Sequence, residues 1–406
     1  MNTTLDKLRI AYVISAVSSD NTGMGGHYRS ALVLAENMMQ RGAAVHIFTL
    51  GDIFPAPFRG THVPVTHIDF DNRLGYYGAI RKAISGFQPT HVHSFDNKSH
   101  FFARLVARRL NKPTFLTKPG GPNRRTFFPF SADIIGFSEE NLTFLSKRRN
   151  LRRTRFHLIP NRVVQPTPNP SKVEELKKRI DLRDDEVVVL RICRIGHYYR
   201  QSILQTFRLA ERLRQSGVKA RAVVVGFIQD QEVYDEVSRD AGEGTAIVTD
   251  PHFTEKASEL LEVADIVVGT GRSFMEAAMQ QRLCATPLQG QELPALVTAA
   301  NFNDLARTNF SERNELANFS RDDNLQEFCR LIGNRTAFDR HTHEVMALVD
   351  ERFGMSGAAR KYSEIYAERS SYVGAPLLDY LGNSLAVLRY YGPLLLRASH
   401  RKAAAP

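Results

Sequence analysis

Cysteine is scarce in this chain of 406 residues, and long apolar segments are absent. Cys193, Cys284 and Cys329 are widely separated and show no paired spacing, which argues against a disulfide framework and against a zinc site. No apolar run is long enough to cross a bilayer, and the polar first residues lead directly into an apolar segment, so neither a membrane span nor a signal peptide is predicted. These absences favour a cytoplasmic protein.

Motifs that bind metals or dinucleotides are not found where a predicted strand ends. The Asp-x-Asp pair Asp69–Asp71 follows none of the predicted strands, so a bound divalent metal is not predicted. The glycines after the first predicted strand, which include Gly23, Gly25 and Gly26, do not form the Gly-x-Gly-x-x-Gly pattern of dinucleotide sites. We therefore predict no cofactor.

The charge is unevenly distributed along the chain. The formal net charge is +11, and residues 1–162 carry 23 Lys plus Arg against 10 Asp plus Glu, a balance of +13, which leaves −2 for the remainder. A basic first half indicates an anionic partner: a membrane surface, an acidic glycan or nucleic acid. A solvated basic face without a partner is the alternative. The densest basic run, residues 147–155, is short and poor in aromatic residues, so base stacking with nucleic acid is not expected.

The segment 264–280 predicts a nucleotide site in the second half. Its β-branched residues 266–268 are typical of a strand buried on both faces, and the two glycines that follow permit a tight turn before a helix. A helix N-terminus after a parallel strand suits phosphate, and Arg272 and Ser273 would add to that preference. Glu276, one turn further, could accept hydrogen bonds from a ribose diol. A simple tight connection is the alternative for Gly269 and Gly271.

The rest of the chain alternates between strand and helix patterns, which predicts doubly wound α/β domains. The length favours two of them, and a turn-rich connector at 165–170 separates the halves. The expected domains are residues 1–162 and 163–355, followed by 356–406. In the second half the predicted elements are strands at 187–192, 220–226 and 246–249, and helices at 202–214, 231–240, 254–263, 327–332, 345–353 and 358–367.

Glycine pairs also follow strands in the first half. Gly25 and Gly26 lie after the first strand, and Gly120 and Gly121 close the strand at 113–117. Backbone amides in turns without side chains can approach charge closely, although a plain turn is equally compatible with the pattern. His27 and Lys118, beside these turns, are candidate contacts to a ligand, with a surface position without a role as the alternative, whereas His93, inside a strand, is expected to be a core or rim histidine.

The segment 264–287 resembles the donor-sugar segment of retaining glycosyltransferases of family 4, which have the GT-B fold of two Rossmann-like domains facing across a cleft, with a C-terminal helix that crosses back to the first domain. The resemblance is carried by Gly271, Ser273 and Glu276. Val268 stands where the family has an earlier glutamate that helps to hold the sugar. Pro119 replaces a family histidine, so His27 or Lys118 would have to make its contact.

The resemblance implies which residues bind the donor. Cys193–Arg200 is similar to the family segment whose arginine and lysine hold the diphosphate, and Arg194 matches that arginine. Arg194 and the Glu276 of the donor-sugar segment are the expected catalytic residues. Tyr199 occupies the spacing of the lysine, and Arg200 is expected to act in its place. The remaining residues expected to bind a substrate, either donor or acceptor, are Gly25, Gly26, His27, Lys118, Gly120, Gly121, Gly271, Arg272 and Ser273.

The implied activity is retaining transfer of a hexose from a nucleoside-diphosphate sugar to a cell-surface polysaccharide or lipid-linked glycan of the cell envelope, without metal. A sugar-nucleotide epimerase of the same fold and a non-catalytic nucleotide-sugar or polyanion-binding protein are the alternatives. Five leucines at helical spacing near the end of the chain, followed by a basic end at 397–402, predict either an interfacial helix or a helix packed on the first domain. An interfacial helix would make a membrane surface a partner of the protein, which would then lie peripherally at the inner face of the membrane.

Overall fold

Strands and helices alternate in both halves of the chain. The computed structural model describes residues 7–17, 26–69, 75–121, 123, 126–160, 162–386 and 388–389. The chain divides into two units, one formed by Met1–Pro160 with Met355–Pro406 and the other by Asn161–Gly354.

The first unit is built on a seven-stranded parallel sheet in the order β3-β2-β1-β4-β5-β6-β7. Its strands are β1 (Arg9–Ala16), β2 (Ala44–Gly51), β3 (Val65–Ile68), β4 (His91–Ser94), β5 (Thr114–Lys118), β6 (Asp133–Gly136) and β7 (Arg155–Leu158). Its helices in this part of the chain are α1 (Gly26–Gln40), α2 (Tyr76–Gly86), α3 (Asn97–Leu110) and α4 (Glu139–Ser146). Short 3-10 helices lie at Ala56–Phe58 and Arg149–Leu151.

The second unit has a six-stranded sheet in the order β10-β9-β8-β11-β12-β13, parallel except for the edge strand β13. Its strands are β8 (Val187–Ile192), β9 (Ala220–Val225), β10 (Thr245–Val248), β11 (Ile266–Val268), β12 (Leu283–Thr286) and β13 (Ala295–Leu296). Its helices are α5 (Pro170–Arg179), α6 (Arg200–Gln215), α7 (Gln231–Asp240), α8 (Pro251–Thr254), α9 (Arg272–Met279), α10 (Phe302–Arg307), α11 (Arg321–Ile332) and α12 (Arg335–Phe353), with 3-10 helices at His197–Tyr199 and Ala257–Val263.

Apolar strands account for both cores. Ile266, Val267 and Val268 of β11 are fully buried, as expected for a parallel strand covered by helices on both faces. Polar residues at the helix starts satisfy the first backbone amides, which have no partner within a helix. The caps whose side chains accept from these amides are Asp96, Ser138, Asn169, Asp230, Asp250, Ser320 and Asn334.

The end of the described chain belongs to the first unit. Helix α13 (Met355–Ala367) buries Tyr362 and Tyr366, and the Tyr366 carbonyl lies 3.0 Å from Nε2 of His91 in β4. A further helical segment covers residues 377–386 and continues at 388–389. No helix among the described residues is both long enough and apolar enough to cross a bilayer.

One predicted element is wrong. The expected single helix at 254–263 is instead the short helix α8 followed by the 3-10 helix Ala257–Val263. Asp250 caps the chain at Pro251, which starts a helix because its fixed φ suits the first turn and it needs no amide partner. Helix α8 therefore begins before the predicted helix and ends at Thr254, the residue at which the predicted helix begins.

Candidate functional site

The sheet of the second unit reverses its strand order between β8 and β11. From β8 the chain proceeds to β9 and β10 on one side, then returns to β11 on the other, so the connections after β8 and β11 lead to opposite sides. In open α/β sheets, ligands bind at such a switch point, beyond the carboxyl ends of the strands. The segments there are residues 193–199 and the glycine turn Gly269–Gly271, both of which the sequence singled out.

The glycine turn cannot accept side chains without rearrangement. A Cβ on Gly269 would lie 2.5 Å from the Cα of Phe274, which is closer than real Cβ contacts. Gly271 has φ +49 and ψ −116, a conformation that L residues rarely adopt, and it precedes α9 directly. The hydroxyl of Ser273 closes the turn, accepting from the Thr270 amide at 3.1 Å. Ser273 therefore holds the turn in shape.

A buried arginine that the sequence analysis missed fastens this turn to β8. The Arg191 side chain is fully buried, and its guanidinium donates to Ser202 Oγ at 3.0 Å, to the Val268 carbonyl at 3.1 Å and to Thr270 Oγ1 at 3.2 Å. Five donors in a planar fork allow one arginine to join three segments. The available signal was a charged residue inside an otherwise apolar strand.

Glu312 is the second residue that the sequence analysis missed. Its carboxylate lies 3.4 Å from Arg191 Nη2, and only 7 % of its side chain is exposed. Burial raises the pKa of Glu312, and the neighbouring Arg191 guanidinium partly offsets this rise. A buried carboxylate with a perturbed pKa at a switch point is typical of functional sites. Glu312 lies in a loop without a motif, so no sequence signal identified it.

Arg194 lies at the same strand end and is half-buried. Its Nη2 donates to the Tyr199 hydroxyl at 2.9 Å, and its guanidinium lies 5.2 Å from the centre of the Tyr199 ring. The guanidinium of Arg191 is 5.6 Å from the same ring. Tyr199, at the spacing of the family lysine, is thus the residue that the two arginines share.

The other expected residues of this unit form ion pairs with their neighbours. Arg200 is the first residue of α6, and its Nε lies 2.6 Å from Glu236 on α7. Arg272 and Glu276 lie one turn apart on α9, with 3.5 Å between Arg272 Nη1 and Glu276 Oε1, and each side chain is 13 % exposed. The structure therefore brings Arg194 and Arg191 to one aromatic ring, whereas the Arg200 head group is directed to α7.

The first unit has its own switch point, between β1 and β4, and a cavity of about 430 Å³ lies there. Its lining includes Ser15, His27, Tyr28, Asp96, Lys118, Gly120 and Gly121. Four of the residues expected from the sequence thus share one cavity, namely His27, Lys118, Gly120 and Gly121. Gly26 is the first residue of α1, and Gly25 lies outside the described residues.

The polar groups of this cavity are held by local contacts. The Lys118 ammonium donates to the Gly120 carbonyl, and Gly120 and Gly121 have φ values of +87 and +78, in the region that favours glycine. Oδ2 of Asp96 accepts from the Ser15 amide at 2.7 Å, which joins the ends of β1 and β4. The His27 and Tyr28 ring centres are 4.0 Å apart.

His93 is confirmed as a core histidine. It is fully buried, with Nδ1 2.6 Å from the Tyr366 hydroxyl and Nε2 2.7 Å from Thr117 Oγ1. Burial, with a smaller effect of the nearby His100, lowers the pKa of His93 to about 3. The ring is therefore neutral at physiological pH. Within the described ranges, no three or more His, Cys, Asp or Glu side chains are grouped so that they could hold a metal ion.

Comparison with known proteins identifies relatives of the sequence and of the fold. Residues 24–190 match the family model described as Glycosyltransferase Family 4. A search of curated proteins found no match. Among solved structures, HepE from Anabaena in complex with UDP and glucose is similar with a TM-score of 0.63 at 13% identity, covering 89% of this chain and 99% of that one.

Two further structures are similar over the same share of the chain. A glycosyltransferase from Rickettsia africae has a TM-score of 0.65 at 14% identity, and the match covers 89% of this chain and 98% of that one. Sucrose-phosphate synthase from Thermosynechococcus elongatus has a TM-score of 0.55 at 14% identity and is covered to 99%. These likenesses confirm the predicted GT-B fold class, and the family match supports a glycosyltransferase related to family 4.

Proposed function

We propose that the protein is a glycosyltransferase that moves a hexose from a nucleoside-diphosphate sugar to a glycan, with retention and without a metal ion. The observation that carries this proposal is the cationic group at the switch point of the second unit. Arg191 and Arg194 share the ring of Tyr199 there, next to a glycine turn that opens α9. A diphosphate is the ligand class that arginines and the positive end of a helix favour together.

The transfer reaction also requires positive groups at this site. As the acceptor hydroxyl forms its bond to the anomeric carbon, the bond to the diphosphate oxygen breaks and negative charge grows on the leaving nucleoside diphosphate, which takes up the hydroxyl proton. Fixed positive groups that meet this charge lower the barrier. Arg194 is the residue proposed to bind the diphosphate. Arg200 is proposed to bind it as well, once its ion pair with Glu236 is broken. Arg191 is proposed to position the turn, since its donors are already bonded within the protein.

The ligands of one similar structure indicate which donor to test first. HepE has been crystallised with UDP and with UDP-glucose, so a uridine-based donor is the first to test. In the proposed site Glu276 binds the ribose or the sugar, and Arg272, Ser273 and Gly271 form the end of the phosphate pocket. The Glu276 carboxylate would then exchange its contact with Arg272 for the donor's hydroxyls.

The first unit is proposed to bind the acceptor. Its cavity is lined by His27, Lys118 and the glycines Gly120 and Gly121, and residues 1–162 carry the charge balance of +13 derived from the sequence. An anionic cell-surface polysaccharide or a lipid-linked glycan matches this charge. A peripheral position at the inner face of the membrane follows from the same argument.

One observation favours a second function. The position of the family's earlier glutamate is Val268, which is fully buried in β11, and its carbonyl accepts from Arg191. No carboxylate from this position can therefore reach a sugar. A sugar-nucleotide epimerase of the same fold would need different contacts to the sugar, so epimerisation is the alternative activity.

Two measurements test these proposals. Calorimetry with UDP and GDP tests the nucleotide site, and tight salt-sensitive DNA binding without binding of either nucleotide would contradict it. Incubation with radiolabelled sugar nucleotides then separates the activities. Release of nucleoside diphosphate that depends on added glycan indicates transfer, an isomerised sugar nucleotide indicates epimerisation, and binding without turnover indicates a non-catalytic binding protein.

A further inference from the structure

The helical segment of the first unit at residues 377–386 and 388–389 presents its apolar side to solvent. Leu377, Leu378, Leu381, Leu385 and Leu388 are between 55% and 80% exposed. At 3.6 residues per turn, these five positions fall within an arc of about 100° on one side of the helix. Contiguous exposed leucines of this kind mark a surface that binds another apolar phase.

The opposite side of the segment is polar and buried. Asp379 is 3% exposed and Asn383 is 2% exposed. The Asp379 carboxylate forms an ion pair with the buried Arg104 of α3 and accepts from the Phe130 amide at 2.9 Å. A single buried carboxylate with these partners anchors the helix in one rotational setting, because turning it would leave Arg104 without its counter-charge.

Two further contacts hold the same setting. The Arg104 guanidinium lies 4.1 Å from the centre of the Tyr380 ring. At Gly382 the helix approaches Phe127 so closely that a Cβ would lie 2.5 Å from a ring carbon. The leucines are therefore exposed because the opposite side docks on the first unit.

A run of exposed basic residues contacts the docked helix through Asn150. Asn150, which donates to Asp379 at 3.3 Å, lies in the basic run, and four of its neighbours are exposed: Lys147, Arg149, Arg152 and Arg153. Arg389, at the end of the described segment, is exposed as well. Leucines flanked by cations form the pattern of a surface that lies in the interface of an anionic bilayer.

From these observations we infer that the leucine side of residues 377–388, flanked by the basic residues of 147–153, docks the protein on anionic lipid membranes. A second copy of the chain is the less complementary occupant, because symmetric pairing through this surface would bring the two basic sets together. The inference rests on the membrane partner in the proposed function, and it is independent of the transfer reaction.

Co-sedimentation of the full chain with vesicles tests this docking surface. Vesicles of phosphatidylcholine with phosphatidylglycerol should bind the protein, and added salt or the removal of phosphatidylglycerol should weaken binding. The double variant Leu378→Ser/Leu385→Ser should lower the partition coefficient by about tenfold or more. Leu378→Phe, which keeps an apolar group, should retain binding, and Arg149→Glu/Arg152→Glu should weaken binding to phosphatidylglycerol.

Matched controls separate docking from folding and from donor binding. Tyr77→Ser/Val164→Ser changes two exposed apolar residues elsewhere and should leave vesicle binding intact. The leucine variant should melt at the temperature of the unmodified protein and bind UDP as the unmodified protein does. Absence of binding to phosphatidylglycerol vesicles at low salt would overturn the inference. A dimer in sedimentation velocity that the leucine variant converts to monomer would overturn it too, in favour of a second copy.

Discussion

At the scale of single residues, Arg194 is the proposed link between fold and ligand. Its guanidinium contacts only the hydroxyl and ring of Tyr199 among the contacts described above, so a diphosphate could bind to it without breaking a core interaction. Arg194→Ala should weaken nucleotide binding by about 1.5–3 kcal/mol, the usual loss for a charge-assisted hydrogen bond. Calorimetry with UDP measures this loss directly.

The control for Arg194→Ala is Arg208→Ala. Arg208 lies on the exposed side of α6, where it pairs with Glu211 one turn away. Its loss should change stability only slightly, because exposed pairs contribute little. Unchanged UDP affinity in Arg194→Ala, or an equal loss in both variants, would remove Arg194 from the proposed site.

Two buried histidines should make the first unit sensitive to acid. Burial lowers the pKa of both His93 and His100 to about 3, so the folded state keeps them neutral while the unfolded state protonates them below their ordinary pKa of 6.5. Their contribution to stability is therefore complete above pH 6.5 and declines as the pH falls towards about 3. Each should lower the free energy of unfolding by on the order of 1 kcal/mol per pH unit in this window.

Thermal unfolding followed by circular dichroism at pH 7 and pH 5 measures this effect. His93→Gln should reduce the difference between the two melting temperatures, since glutamine does not titrate. His343→Gln, at an exposed position on α12, should leave the difference unchanged. Equal melting temperatures of the unmodified protein at both pH values would contradict the predicted linkage.

The residues that the sequence could and could not identify differ in how local their contacts are. The turn at Gly271 and Ser273 was predictable because the strand, turn and helix that surround these residues are contiguous in the chain. Arg191 and Glu312 were not, because their pairing joins positions 121 residues apart, and no spacing rule predicts such a contact. The Glu236 partner of Arg200 was missed for the same reason.

At the scale of elements, the turn before α9 should be the most sensitive backbone segment of the proposed site. Gly271→Ala would place a Cβ 3.3 Å from Asn309 Nδ2 in a backbone conformation that L residues rarely adopt. The strain should cost about 1–3 kcal/mol of stability and should displace the start of α9. Weaker UDP binding in calorimetry is the expected consequence.

Gly217→Ala provides a matched control for this substitution. Gly217 also has a positive φ, +88, but a Cβ there would meet nothing within 4 Å, and the residue lies away from the switch point. The Gly217→Ala variant should therefore be less stable than the unmodified protein but should bind UDP with the same affinity. If both glycine variants keep full affinity, the turn does not form part of the nucleotide site.

Elements were predictable where apolar periodicity was strong. The strand at 187–192 has the predicted bounds, and α9 begins at Arg272 as expected. Helix α12 spans Arg335–Phe353, whereas the apolar pattern indicated only its last half, because polar side chains cover its first turns. The leucine pattern near the end of the chain predicted a helix correctly, but periodicity alone could not show that its polar side is the buried one.

At the scale of the whole molecule, the two units differ in continuity and in charge. The second unit is one continuous segment, Asn161–Gly354, and it contains every residue of the proposed nucleotide site. The first unit is assembled from two segments and contains the basic run and the leucine surface. Donor binding and membrane docking are therefore assigned to different units. UDP binding can be measured in a variant that does not bind vesicles, and vesicle binding in a variant that does not bind UDP.

The continuity of the second unit leads to the last prediction. A protein consisting of residues 161–354 has its own hydrophobic core around β8 and β11, so it should fold alone and show a cooperative melt. Because Arg194, the glycine turn and Glu276 all lie within it, it should bind UDP with an affinity within about tenfold of the full chain, a difference of about 1.4 kcal/mol. A folded fragment that carries Arg194→Ala is the control and should bind more weakly. If the unmodified fragment folds cooperatively but does not bind UDP, residues of the first unit are required for the site, and the assignment of the donor to the second unit alone is wrong.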